Sequence, residues 1–215
     1  MATVDIEPDA RPIVRVLAGV LRRSAVDPDL GPILDGLEGV LGLQSATDPQ
    51  RATIRFRSGA VYVEGGIGVD VDVVITTDFS APTGPDAPKP TVREMTQLAR
   101  SVARRPVFAQ NAGKVLAPPL PDWTEAATTF WTTAERRGGG PAGLRLVCTD
   151  DQRTMSFGDD ADAPELHGTA RALARCLVGE TVIAEEVVEG RLHLSATIGE
   201  LSALTGHGLA VMLGD

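Results

Sequence analysis

Two stretches of two-residue alternation, about 92 residues apart, constrain this chain more than any other feature. In the first, Ala52, Ile54 and Phe56 alternate with Thr53, Arg55 and Arg57; in the second, Leu144, Leu146 and Cys148 alternate with Arg145 and Val147. Successive side chains on a strand point to opposite faces, so each stretch predicts a strand with one face in a core and one turned away from it. Ser58-Gly59 offers a tight turn into a second strand over 60–64, and Gly65-Gly66 and Gly68 precede a β-branched run from Val69 to Thr77. Three strands joined through glycine predict an antiparallel meander.

The second half repeats this order. Residues 152–157 take the place of 60–64, and 163–169 that of 71–77. A helix follows in each half. Thr91 to Glu94 opens one with a T-x-x-E capping box, running to about Arg104, and Ala170 to Leu177 forms the other. Gly113-Lys114-Val115-Leu116 and Gly190 to Leu194 then read as short strands entered through glycine, followed by cap patterns at Asp122-Glu125 and Thr197-Glu200. The order β-β-β-helix-β-helix thus occurs twice. The offset shrinks to about 77 at the last strand because the proline-rich 80–90, an irregular loop, has no counterpart. Two helices lead the chain, one to about Arg23 with Pro12 in its first turn and one over Leu30 to Leu41. The division expected is 1–137 and 141–215, with Gly138-Gly139-Gly140-Pro141 as the joint and the helix from Asp122 to Arg137 closing the first unit.

Charge and composition exclude several function classes. There are 29 acidic against 20 basic residues, a net charge of -9, and only two of the basic residues are lysine. Nucleic-acid affinity rests on clustered Lys and Arg, so no nucleic-acid partner is expected. No stretch reaches the ~18 apolar residues of a membrane span, and Met1 to Asp9 is acidic where a signal peptide would be basic and then apolar. A cytoplasmic protein without a membrane span is the expectation. Cys148 and Cys176 fit neither a disulfide framework nor a C-x-x-C clamp and read as buried, inert thiols.

Catalytic and cofactor chemistry finds little support, and neither a cofactor nor a metal is expected. Gly65-Gly66-Ile67-Gly68 lacks the third glycine and the following helix of a dinucleotide fingerprint. Asp150-Asp151 and Asp159-Asp160-Ala161-Asp162 lack the central glycine and terminal glutamate of a calcium loop and read as acidic turns. Glu185, Glu186 and Glu189 read as a solvated connection, and Ser195 lacks the glycines of a nucleophile elbow. His167 and His193 fall on predicted adjacent strands and, with Glu165, could form the His-carboxylate pair of a general base. Leu192 and Leu194 flank His193, however, which places its imidazole on the face away from the apolar one. His207, between Gly206 and Gly208, reads as a helix-end residue.

The apolar residues say more. With eight aromatics in the chain, a pocket has to be walled mostly by Val, Leu, Ile and Ala, and three of the eight, Trp123, Phe130 and Trp131, share one predicted helix. They are either the core of the joint or one wall of an apolar cleft. Ile183, Val187, Leu201, Leu204 and Met212 add apolar mass on the flanking helices beyond what one sheet face needs, as a pocket for a greasy ligand would.

Asp162-Ala-Pro-Glu-Leu-His-Gly-Thr169, the helix ending at Gly179, and Glu189-Gly-Arg-Leu-His-Leu194 before a terminal helix resemble the C-terminal part of sterol carrier protein 2-like (SCP2) domains. There, a strand of the form DAxLxGT leads to a helix ALxxLLxG, a strand xGRLxLxG and a helix over the sheet. Gly59 to Glu64, Asp72 to Thr77 and Met95 to Val102 carry a fainter version in the first half, so the resemblance spans most of 50–215. It implies an α+β protein of two SCP2-like units, each an antiparallel sheet covered by helices on one face, with an apolar tunnel between. Relatives of that kind bind sterols, acyl chains, acyl-CoA or isoprenoid-like molecules, and no universal catalytic residue travels with the fold. The resemblance thus implies non-covalent carriage of an apolar or amphipathic small molecule, most readily in the second half. The alternatives are a cyclase- or isomerase-type enzyme working in that cavity, with His167, His193, Glu165 or Asp72 pointing into it, and an interaction module of a lipid-metabolism complex, homo- or hetero-oligomeric.

Overall fold

The computed structural model describes residues 1–77, 103, 105–138, 140–160 and 162–213. The chain is α+β and divides at Pro118/Pro119 into two compact units, each built on its own sheet. The proline loop at 80–90 and the helix expected over 91–104 lie outside the described residues.

The first unit opens with β1 (Thr3–Ile6), α1 (Pro12–Val26) and α2 (Gly31–Asp35), continues through β2 (Gly39–Ser45), β3 (Arg51–Arg57), β4 (Ala60–Gly65) and β5 (Val73–Thr77), and closes with α3 (Pro106–Val115). Its strand order is β1-β4-β3-β2-β5. The hairpin at Ser58-Gly59 forms as the alternation predicts: Arg57 pairs with Ala60, and Gly59 turns at φ 73°. Leu41, Leu43, Ala52, Ile54, Phe56, Val61, Val63 and Val73 lie buried in one core with the inward residues of the three helices.

Three expectations are corrected here. The helix predicted over Leu30 to Leu41 stops at Asp35, and Gly39–Ser45 is a strand between β3 and β5. Leu37, Val40 and Leu41 suit helical spacing, but Gly36 and Gly39 each weaken a helix by about 1 kcal/mol, and Val40-Leu41-Gly42-Leu43 also alternates. The strand predicted at Gly113 to Leu116 belongs to α3, whose Phe108, Ala109, Ala112 and Val115 make one buried stripe behind Pro106 in the first turn. The sheet is mixed instead of an antiparallel meander: β5 runs parallel to β2, and β1 parallel to β4. Residues 66–72 cross the outer face from β4 to the far side of β2, and a glycine-rich segment read as a hairpin turn is in fact this crossing. Thr53 on β3 donates to Gly66 O (2.8 Å) and accepts from Gly68 N–H (2.9 Å), while Ile67 and Val71 rest where a side chain at Gly42 would stand.

The second unit runs α4 (Trp123–Arg137), β6 (Gly143–Cys148), β7 (Thr154–Gly158), β8 (Glu165–Gly168), α5 (Ala170–Leu177), α6 (Ile183–Val188), β9 (Leu192–Ser195) and α7 (Ile198–Leu213). Its strand order is β7-β6-β8-β9, again mixed, with β8 parallel to β6. The helix α4, expected to close the first unit, packs its Trp123, Ala126, Ala127 and Phe130 face with Leu144, Leu146, Leu166 and Leu173 of the second. An amphipathic stripe shows that a helix is buried but not on which sheet. Asp122 caps α4 by accepting from Thr124 N–H, Thr169 caps α5 from Ala172 N–H, and Thr197 and Glu200 form the reciprocal capping box read from the sequence.

By its neighbours, β2 rather than β3 is the first unit's counterpart of β6. Each pairs antiparallel with the next strand and parallel with a later one.

Candidate functional site

A cleft of about 350 Å³ opens in the first unit between the end of α2 and the start of α3. Leu37 and Phe108 form its buried apolar floor, Val107 and Pro106 its exposed lip, and Arg105 and Asn111 its polar edge. Gly36 leaves α2 and Pro106 enters α3, so two helix ends set the width. Phe108 is held edge-on to Phe56 of β3 at 5.9 Å, which ties the floor to the sheet. Arg105 lies over the Phe108 ring at 5.2 Å and donates from Nη1 to Asp72 Oδ2 at 2.7 Å. Asp72 Oδ2 also accepts from Val40 N–H at 2.8 Å. Both Arg105 and Asp72 are thereby engaged in holding α3 against β2, and the rim adds the exposed Glu38 carboxylate and the Asn111 amide as polar surface.

The residues predicted to line a second-half pocket fall together. Trp123, Phe130, Ile183 and Leu204 lie at about 1% exposure inside the core of the second unit, and Trp131, Val187 and Leu201 pack partly buried against it. Met212 is half-buried at the end of α7. Trp131 stacks on Phe157 with ring centroids 5.4 Å apart.

Beneath that core, the turn between β6 and β7 makes a polar cluster. Cys148 Sγ–H donates to Asp150 Oδ1 (2.8 Å), which also accepts from Ala170 N–H at the start of α5 (2.8 Å). Asp151 Oδ2 accepts from Trp123 Nε1–H (2.9 Å) and from Arg153 (2.5 Å). Desolvation pulls the Asp151 carboxyl up, but the hydrogen bonds from Trp123, Cys148 and Arg153 outweigh it and hold the group well below the usual carboxylate range. Burial, with the Asp150 and Asp151 carboxylates beside it, pushes the Cys148 thiol up to about 11, and burial likewise raises Cys176, so both thiols are poor nucleophiles, as the sequence predicts. The carboxylates act here as turn and cap acceptors. Two further sequence expectations change: Glu186 is buried and receives a bidentate Arg191 (2.6 and 3.0 Å), and His207 is buried within α7 against Gly140.

His167 and His193 do meet. They are directly opposite on β8 and β9, with ring centroids 6.0 Å apart. His167 Nε2 is 3.1 Å from Glu165 Oε2, and Arg145 donates to Glu165 Oε1 at 2.8 Å. These four occupy the sheet face opposite the buried Leu144, Leu146, Leu166 and Leu192, so they point away from the interior that the enzyme alternative required. Asp72, the other acid named for that role, borders the first-unit cleft only through Arg105. The Arg105-Asp72 contact, the crossing at 66–72 and the Cys148-Asp150 hydrogen bond have no signal in the sequence, since each joins residues whose spacing is not periodic.

Among the described residues no helix is long and apolar enough to cross a membrane. The chain matches no protein-family model and no curated protein.

Proposed function

We propose that this chain binds an apolar or amphipathic small molecule non-covalently, as a cytoplasmic carrier or sequestering protein. The observation that supports it is the cleft at Leu37, Val107 and Phe108, which pairs an apolar floor with a polar edge. Its volume falls at the low end of small-molecule pockets, roughly 300–1,000 Å³. A ligand's apolar body would lie on Leu37, Phe108 and Val107, contributing roughly 25 cal/mol per Å² of surface removed from water. Its polar head would meet Asn111 and the Arg105 edge. Because Arg105 is already neutralised by Asp72, the head favoured is a neutral hydrogen-bonding group such as a hydroxyl or amide. The likeness of 162–194 to SCP2 domains points to the same ligand class. Binding is favoured over chemistry because the residues lining the cleft pair one acid, Glu38, with no histidine, cysteine or hydroxyl, and Asp72 behind Arg105 is occupied by a guanidinium and a backbone N–H.

The test is native mass spectrometry of the chain purified from its expression host, with extraction of whatever co-purifies, followed by titration of the stripped chain with decanol. One equivalent bound, abolished by Val107→Trp without loss of stability, is expected. Val107 is 69% exposed, so the variant folds. Leu204→Trp tests the second-half pocket: with that buried residue packed as core it should destabilise by about 1–3 kcal/mol and leave decanol binding intact. No decanol binding by the wild type, or binding indifferent to Val107→Trp, would sink the cleft reading.

A further inference from the structure

We propose that the outer face of the second sheet holds a divalent transition-metal ion of the zinc class on His167 and His193, with Glu165 and Arg145 as the groups that orient the first imidazole. Imidazole suits Zn²⁺, Cu²⁺ and Ni²⁺, and the N–metal distance of ~2.0–2.1 Å places two rings on one tetrahedral ion with centroids roughly 5–6 Å apart. The observed 6.0 Å lies at the upper end of that span, on a face where His193 is exposed and His167 half-exposed, so the rings have room to turn toward a shared ion. The antiparallel register that sets His167 opposite His193 fixes the two Cα positions, so the pair is organised by the backbone.

The carboxylate does not compete for the ion. An ionised Glu165 is acceptor-only, so the 3.1 Å contact puts the His167 proton on Nε2 and leaves Nδ1 as the lone-pair donor. Arg145 holds the other oxygen of Glu165 at 2.8 Å. This Arg-Glu-His chain is the arrangement in which a metal-binding histidine gives its second ring N–H to a carboxylate. The remaining coordination positions fall to water. The denser group at Cys148, Asp150 and Asp151, whose ligand atoms lie within 4.8 Å of one another, is the poorer candidate. Its thiol is held protonated, and its carboxylate oxygens already accept from Ala170 N–H, Trp123 and Arg153.

The test is calorimetric titration of the chelator-treated, tag-free full chain with Zn²⁺ up to about 1 mM, against His167→Ala, His193→Ala and Glu165→Gln. Saturable one-site binding is expected, at least tenfold weaker in either histidine variant and measurably weaker in Glu165→Gln, with thermal melting unchanged because all three residues lie off the core. Cu²⁺ on the wild type should show EPR coupling to two imidazole nitrogens, and to one in either variant. Absence of saturable binding, a loss under tenfold in either histidine variant, or a copper spectrum without two-nitrogen coupling overturns the proposal.

Discussion

On the first sheet, residues 66–72 lie across the outer face and bury Thr53 completely; on the second, Arg145 and His193 stand exposed and Glu165 and His167 half-exposed at the corresponding face. Both sheets send the next-but-one connection over their first strand to reach a parallel partner, yet only the first makes that connection a cover. Length decides this: in the first unit the chain must pass β3 as well as β2 to reach its place, so it lies along the face and brings its own hydrogen bonds. In the second, the strand order asks the chain to pass only β6, and Asp160 and Ala163 sit against Gly143 at its start. An outer face that is structural in one unit is thus left free for polar chemistry in the other, while the first unit keeps its opening at the helix ends instead.

The comparison can be broken most sharply from inside. Trp123→Ala should destabilise the second unit by about 3–5 kcal/mol in urea denaturation, because it empties the largest buried side chain of that core and removes the donor to Asp151. A cost under ~1 kcal/mol would mean the helix packs elsewhere. Next in size, Thr53→Val should cost about 1–3 kcal/mol by leaving Gly66 C=O and Gly68 N–H without a partner under the crossing. The matching change on the open face, Val147→Thr, should stay within ~0.5 kcal/mol. Equal effects would erase the distinction between the faces. The smallest effect is spectroscopic. A carboxylate whose folded pKa is depressed contributes stability present above its unfolded value, near 3.8, and lost as pH falls through the folded one. In a Trp131→Phe background, Trp123 emission should therefore be flat from about pH 7 to pH 4 and change only in stronger acid. A transition centred near pH 3.8 would show that Asp151 titrates as an ordinary acid.

Much of the second unit is legible in the sequence. Strands β6 and β9, the caps at Asp122 and Thr197 and the two buried cysteines follow from spacing and local chemistry, because each is decided within a few residues. The opposed histidines were legible too, since Leu192 and Leu194 reveal which way His193 points. The first unit is less so. Its Leu30 to Leu41 pattern satisfies helix and strand alike, and burial between two partner strands chose the strand. The cleft was invisible, because Leu37 and Phe108 lie far apart in sequence and neither belongs to a motif.

By itself, then, the sequence determined that this is an α+β chain of two sheet-and-helix units with a net acidic charge and cysteines spaced for neither a disulfide framework nor a metal clamp. Alternation, glycine placement and charge are local or additive, and each can be read along the chain. Only the tertiary structure decided that the sheets are mixed, that α4 belongs to the second unit, and which apolar residues are buried in a core and which border the cleft at Leu37 and Phe108. Those outcomes depend on which strand edges and which helix faces find each other, and the free energy of such a contact resides in the pair rather than in either segment.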